Sequence, residues 1–109
     1  MDRSTKTPQP PYYAVIFTSE RTDGDKGYSK MSEKMLELAF QQPGFLGVES
    51  ARDIELGITV SYWDSLDAIR SWKENSPHQI AQEKGKEVWY KNYKVKICKV
   101  EREYSFKME

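Results

Sequence analysis

The amino-acid sequence predicts an α+β fold of the ferredoxin-like kind, with the element order β-α-β-β-α-β. Three observations predict it. Four runs are rich in β-branched and aromatic residues, two amphipathic stretches separate them, and the second and third runs lie close enough in sequence to form a hairpin. Right-handed crossovers then give a four-stranded antiparallel sheet with both helices on one face.

The four predicted strands are bounded by polar or turn-forming residues. They are Tyr12–Ser19, Phe45–Arg52, Gly57–Trp63 and Lys91–Phe106. In the last run, Val95 and Ile97 alternate with lysines, whereas the apolar parity changes from Cys98 onward. Such a change indicates a bulge or an end that leaves its own sheet. We expect the second, with the C-terminal end reaching toward another subunit.

The first predicted helix is Tyr28–Gln42, and its apolar residues fall on one helical stripe. Pro43 and Gly44 end it, because proline cannot continue a helix. We expect the second helix to begin with Asp64 as its N-cap and Asp67 in its first turn.

The buried stripe of that second helix is predicted at Leu66, Ile69 and Trp72. After it, Ser76 is the predicted N-cap of a further helical piece that has Pro77 at its first position.

Length and charge limit the classes of function. The 109 residues suffice for one domain, predicted over residues 12–109 after a flexible tail at residues 1–11. Seventeen basic and seventeen acidic residues give a net charge of zero, which argues against nucleic-acid or membrane partners. One cysteine and one histidine cannot build a disulfide or a multi-residue Cys/His metal site within one chain. Without an export signal, we expect a cytoplasmic protein.

The strands carry apolar residues at both odd and even positions, and therefore on both faces of the sheet. Val15 and Phe17 alternate with Ala14 and Ile16 along the first strand. Helices cover only one side of a ferredoxin-like sheet, so the other side needs a second apolar surface. The pattern therefore predicts a homodimer.

Three segments together resemble the antibiotic-biosynthesis-monooxygenase-like family of dimeric α+β barrel proteins: Gln41–Ser50, Ile58–Trp72 and Lys99–Phe106. The resemblance covers residues 12–106. It implies two sheets packed face to face in a homodimer, with a ligand cavity between sheet and helices in each subunit. Some members oxygenate polycyclic aromatic phenols with O₂ and no metal or flavin, one related branch degrades haem, and others have no established activity. Fold kinship therefore does not fix the reaction.

The resemblance and the residues together predict a cofactor-independent monooxygenase site for a small aromatic or phenolic metabolite. His78 is the candidate base or orienting residue, because histidine titrates near neutrality. Trp72 is the candidate catalytic wall, because an oxygenation cavity must be dry. Phe17, Tyr62 and Tyr90 are candidate substrate-binding residues. The site would need O₂ but no metal and no other cofactor.

Other interpretations stay open from sequence. His78 also fits a solvent-facing residue of a first helical turn, and Trp72 fits a core residue. Cys98 is interpreted as a buried structural thiol. For the haem-degrading branch the resemblance implies an asparagine on the first strand, a tryptophan on the second helix and an axial histidine further along. Trp72 matches the tryptophan, but the first strand has no asparagine and His78 follows Trp72 too closely, so haem degradation is disfavoured. A non-catalytic dimer that binds a small hydrophobic ligand is the main alternative.

Overall fold

The computed structural model describes residues 9–108, apart from the side chain of Ser76, and it has the predicted α+β architecture. Its elements are β1 (Tyr12–Arg21), α1 (Tyr28–Phe40), β2 (Phe45–Arg52), β3 (Leu56–Trp63), α2 (Leu66–Glu74), α3 (Ser76–Lys84), a short π-helical turn (Gly85–Trp89) and β4 (Tyr90–Val100). The four strands form an antiparallel sheet in the order β2-β3-β1-β4. The ferredoxin-like fold is thereby confirmed. Most of the predicted tail, at residues 1–11, lies outside the described residues.

The sheet has two faces of different character. Trp63 packs toward Trp72 of α2, so the face that carries Trp63 is the helix face. The strand register also places Val15, Phe17, Ser19, Ser61, Thr59 and Tyr93 on this face. The opposite side, here called the open face, carries Tyr12, Ala14, Ile16, Val60, Tyr62, Cys98 and Val100. No described helix covers the open face.

Both predicted helix caps are wrong by one residue. The N-cap of α2 is Ser65, whose hydroxyl accepts a hydrogen bond from the Ala68 N–H at 3.0 Å. Asp64 is held outside the helix because its N–H donates to the carbonyl of Gly44 at 2.8 Å. The N-cap of α3 is Asn75, whose side-chain oxygen accepts from the His78 N–H at 3.1 Å.

The fourth strand is shorter than predicted and ends at Val100. Val100 pairs with Tyr12, the first residue of β1. Pro10 and Pro11 precede Tyr12 and have no N–H groups to continue the ladder. The pairing shows no bulge between residues 92 and 100, so a bulge does not explain the change of parity at Cys98. The chain leaves the sheet after Val100, as expected.

The predicted stripe of α2 is confirmed only in part. Ile69 is buried and Trp72 half-buried, but Leu66 is 51% exposed. Leu66 opens the helix directly after its N-cap, where the first turn has not yet come against the sheet.

The turn between α1 and β2 depends on Gly44, which adopts a left-handed φ of 85°. A β-carbon at this position would collide with the Asp64 carboxylate and lie 2.7 Å from the Ala68 β-carbon. Gly27 has nearly the same φ, 86°, but no atom would lie within 4 Å of its β-carbon.

These two glycines form a matched pair for a stability measurement. Gly27→Ala introduces only the left-handed strain, roughly 1–2 kcal/mol. Gly44→Ala adds an overpacking cost of about 1–3 kcal/mol because it presses on α2. Urea unfolding should therefore show a clearly larger loss of unfolding free energy for Gly44→Ala. Equal losses would contradict this account of the turn.

Candidate functional site

Two groups of aromatic side chains lie on the helix-covered side of the protein. The first, called the Trp72 cluster, is a chain of rings with neighbouring centroids 4.5–6.0 Å apart: Phe40, Phe45, Trp63, Trp72 and His78. The second, called the Tyr28 cluster, contains Phe17, Tyr28, Trp89, Tyr90 and Tyr93, with neighbouring centroids 5.3–5.9 Å apart.

His78 is positioned by the start of α3. Pro77 sets the backbone of the first turn, and the Asn75 cap accepts the His78 N–H. The imidazole stacks on the Trp72 ring with centroids 4.5 Å apart and an angle of 26° between the planes. The residue is half-buried, so the interpretation of His78 as a solvent-facing residue is wrong.

Burial also decides the protonation of His78. It lowers the pKa of the imidazole below its ordinary value of 6.5, and the backbone at Trp72 and Lys73 offsets part of the decrease. The Nδ1 atom is buried and has no hydrogen-bond partner among the described residues. At neutral pH the imidazole is therefore uncharged, which is the form that can accept a proton.

Trp72 has two other rings as neighbours. His78 stacks on it, and the Trp63 ring is 6.0 Å away at an angle of 31°. Trp63 is 1% exposed, and its indole N–H donates to the Ser61 hydroxyl at 2.9 Å. Trp72 thus belongs to the core and also forms the surface against which His78 rests.

The Tyr28 cluster holds the other two predicted residues of the helix face. The Phe17 ring contacts Tyr90 at 5.5 Å and Tyr93 at 5.3 Å. The Tyr90 ring packs on the backbone of Gly85, where a β-carbon would lie 2.8 Å from the ring. Burial raises the pKa of Tyr90, and the neighbouring Tyr28 phenol adds to the increase, so Tyr90 is a protonated hydrogen-bond donor at neutral pH.

The two clusters stand apart along the sheet. Phe17 of β1 pairs with Thr59 of β3, four residues before Trp63. Four residues of strand span about 13 Å. The structure therefore brings together Trp72 with His78 and Phe17 with Tyr90, but it does not join the two pairs into one compact site.

Tyr62 does not lie in this region. It points to the open face, where its hydroxyl donates to Glu49 at 2.7 Å and its ring meets Tyr12 edge-on at 5.9 Å. Burial, followed by Glu49, raises the pKa of Tyr62 to about 12. The prediction that Tyr62 lines a cavity between sheet and helices is wrong, because alternate residues of a strand point to opposite faces.

Sequence reasoning missed Trp63 as a member of the site. The signal was present, since Tyr62 and Trp63 had to face opposite sides, but the sequence alone did not say which side the helices cover. A shallow pocket of about 250 Å³ lies near the start of α2, lined by Pro43, Gly44, Asp64, Ser65, Asp67, Ala68 and Ser71. It contacts none of the predicted site residues.

The described part of the chain, residues 9–108, contains neither a metal-binding group nor a membrane-spanning helix. That part of the chain has no group of three or more His, Cys, Asp or Glu residues that could hold a metal ion. No helix within it is both long enough and apolar enough to cross a membrane.

Comparison with known sequences gives the family. No protein-family model matches the chain. Over 107 residues it is 55% identical to the "Uncharacterized protein YqjZ" of Bacillus subtilis (strain 168), a match that covers 97% of this chain and 94% of that protein. The chain belongs to the YqjZ family.

Solved structures confirm the fold of this YqjZ-family chain. The cofactor-independent oxygenase SnoaB from Streptomyces nogalater, solved as a mutant, has a TM-score of 0.74 at 9% identity, covering 84% of this chain and 95% of that one. Rv0793 from Mycobacterium tuberculosis has a TM-score of 0.75 at 11% identity, covering 86% and 99%. A "Putative antibiotic biosynthesis monooxygenase from Nitrosomonas europaea" has a TM-score of 0.68 at 13% identity, and the match covers 81% of this chain and 88% of that one.

At such identities these similarities show the fold alone. The fold of this chain is that of antibiotic-biosynthesis-monooxygenase-like proteins, as the resemblance in sequence implied. Structures with this fold include a cofactor-independent oxygenase.

The state of His78 can be measured directly, because it is the single histidine of the chain. An NMR titration should give a pKa below 6.5, since burial disfavours the imidazolium. Between the folded and unfolded pKa values the folded state binds fewer protons, so the unfolding free energy should fall as pH decreases from about 6.5.

The control is the variant Gln79→His, which adds a second imidazole at an exposed position of the same helix. That added residue should titrate near 6.5. If both imidazoles titrate together, burial of His78 against Trp72 does not govern its protonation.

Proposed function

We propose that this protein is a cofactor-independent monooxygenase that acts on a small aromatic or phenolic metabolite, with His78 as its general base. The observation that carries the proposal is the half-buried imidazole of His78, whose ring centroid lies 4.5 Å from that of the Trp72 ring. It places a proton acceptor against a flat apolar surface, which suits an aromatic substrate. The fold shared with a cofactor-independent oxygenase supports it.

The proposed chemistry balances with O₂ as the sole oxidant. His78 takes the proton of the substrate phenol, which makes the ring electron-rich enough to react with O₂ at a methylene carbon. One oxygen atom stays on that carbon as a carbonyl, and the other leaves as water together with the two methylene hydrogens. His78 then returns its proton to the phenolate oxygen. The carbon loses four electrons and O₂ gains four. A dry aromatic surface protects the anion from water before it reacts.

Phe17 and Tyr90 have a place in this proposal only for a long substrate. They lie about 13 Å along the sheet from Trp63. A multi-ring molecule lying along β1 and β3 would contact both clusters. The protonated phenol of Tyr90 would then donate a hydrogen bond to charge that develops at the far end.

One observation favours the alternative, a non-catalytic binder of a small hydrophobic ligand. Trp72 already has His78 on one side and Trp63 6.0 Å away. Side chains therefore fill part of the aromatic surface that a substrate would use. Binding without turnover is the outcome that would favour this alternative.

Oxygen uptake with a panel of phenolic compounds tests the function. His78→Gln should reduce turnover by roughly 10²-fold or more, because the base is lost. Trp72→Leu should also reduce it, whereas Gln79→Ala, at an exposed position of α3, should leave it unchanged.

Each variant is checked for native near-UV circular dichroism before its turnover is compared. Unchanged turnover in both site variants would reject this site. Zero uptake by the unmodified protein, with tryptophan fluorescence still responding to the compounds, would favour the binder.

We further propose that the protein acts as a homodimer in the cytoplasm, with a second copy covering the open face. Val60 and Ile16 lie half-buried on that face. Beyond Val100 the chain leaves the sheet with three large apolar side chains almost bare: Tyr104 is 99% exposed, Phe106 88% and Met108 82%. Such exposure is typical of a segment that packs on a partner.

Sedimentation velocity at micromolar concentration tests the dimer. The unmodified protein should sediment at twice the mass of the chain. Val60→Glu should shift it to the monomer, because a charge would be buried in the interface. Ile80→Glu is the control, since Ile80 is 65% exposed on α3, away from the open face. A stable monomer of the unmodified protein would overturn the proposal.

A further inference from the structure

One arginine lies flat across the end of the sheet. Arg52 of β2, Gly57 of β3 and Ser19 of β1 are neighbours in the strand register. The Arg52 guanidinium crosses over Gly57, where any β-carbon would collide with it, and donates to the Ser19 hydroxyl at 2.5 Å. Ser19 is 2% exposed, whereas Arg52 is exposed. The guanidinium is therefore held by its hydrogen bond to buried Ser19 and is still reachable from solvent.

A second arginine approaches the same place from β1. The Arg21 guanidinium carbon lies 3.6 Å from the centroid of the Tyr28 ring, a cation–π contact. Its nitrogens donate to three backbone carbonyls, those of Trp89 at 3.2 Å, Gly24 at 3.1 Å and Asp25 at 3.4 Å. The Arg52 guanidinium carbon lies 6.0 Å from the same ring. Tyr28 therefore has both cations beside it.

Neither guanidinium has a carboxylate partner among the described residues; the ion pairs there are Arg70–Asp67 and Lys86–Glu83. Asp25 and Asp53, which lie close in sequence to the two arginines, are engaged in their own turns. Asp25 accepts from the Ser29 hydroxyl and from the N–H groups of Gly27 and Ser29. Asp53 accepts from the N–H groups of Glu55 and Leu56.

The pKa values of the two aspartates agree with this geometry. The largest lowering of the Asp25 pKa comes from Ser29, and that of the Asp53 pKa from the Leu56 N–H; the arginines act more weakly. Both carboxylates are charged at neutral pH, yet local hydrogen bonds hold them. Two cations are thus left for an outside anion.

Aromatic rings stand next to these cations. The Tyr90 ring meets Tyr28 edge-on at 5.9 Å and Phe17 at 5.5 Å. The charges of Arg52 and Arg21 reach the Tyr90 phenol, since both act to lower its pKa against the larger effect of burial. A ligand with an anionic group and a flat apolar body would match both features.

We propose that Arg21 and Arg52 bind the carboxylate of a small aromatic acid, whose ring packs on the Tyr28 cluster. Guanidinium groups pair with carboxylates through parallel charge-assisted hydrogen bonds, and aromatic rings stack readily on tyrosine and phenylalanine. The site is centred on Tyr28 and not on His78. It shares Phe17 and Tyr90 with the far end of the long substrate considered above, but binding of the acid does not require oxygenation.

Isothermal titration calorimetry with 2-naphthoate tests the carboxylate contact. The neutral amide, 2-naphthamide, should bind at least roughly tenfold more weakly, because charge-assisted hydrogen bonds are lost. Arg52→Gln should weaken 2-naphthoate binding about tenfold or more, for the same reason. Arg70→Gln is the control: Arg70 is exposed and pairs with Asp67, so its replacement should leave 2-naphthoate binding unchanged. Equal binding of acid and amide, or an unchanged dissociation constant in Arg52→Gln, would overturn the site.

The variant Gly57→Ala tests whether the Arg52 guanidinium must lie at its observed position for the ligand to bind. The added β-carbon would displace the flexible end of the Arg52 side chain while the arginine itself remains. Binding of 2-naphthoate should weaken as in Arg52→Gln, and unchanged binding would count against the site. Inorganic phosphate is the final comparison. If it binds as tightly as 2-naphthoate, the aromatic part of the proposal is wrong.

Discussion

The structure depends on one constraint, which is that both faces of a four-stranded sheet are apolar while its helices cover only one. The adjacent residues Tyr62 and Trp63 show this constraint most directly. Trp63 is buried under α2, and Tyr62 faces the other way beside Tyr12 and Glu49. Rings on the helix face pack into the Trp72 and Tyr28 clusters. On the open face Tyr12 is 5% exposed, because the chain's own C-terminal end reaches it: the Tyr12 hydroxyl donates to Glu103 at 2.8 Å.

The strands could be predicted because large apolar side chains alternate along them. The bounds of β2 were predicted to the residue, and β1 and β3 to within two. The errors lie where a single hydrogen bond decides. Asp64 and Ser65 are equally good caps by residue type, and the backbone bond to Gly44 selects Ser65. The end of β4 depends on the prolines before Tyr12, which lie far from it in sequence.

The candidate site was predictable to the extent that it is local. Trp72 and His78 lie six residues apart across one helix junction, so a turn that ends α2 and starts α3 can bring them together. The contact between Arg52 and Ser19 was not predictable in this way. It requires the register across three strands and a glycine in the middle one, and neither can be read from spacing along the chain.

Glycine positions explain why a shared fold does not fix a shared function. Gly57 lets the Arg52 guanidinium cross β3, and Gly85 lets the Tyr90 ring rest on the backbone. A chain with larger residues at these two places could keep the same sheet order and the same helices. It would nevertheless lose the position of the Arg52 cation beside Tyr28 and the packing of Tyr90. The three solved structures named above share 9–13% of their residues with this chain. The backbone fold is therefore common to them, while the functional side chains must be established for each protein separately.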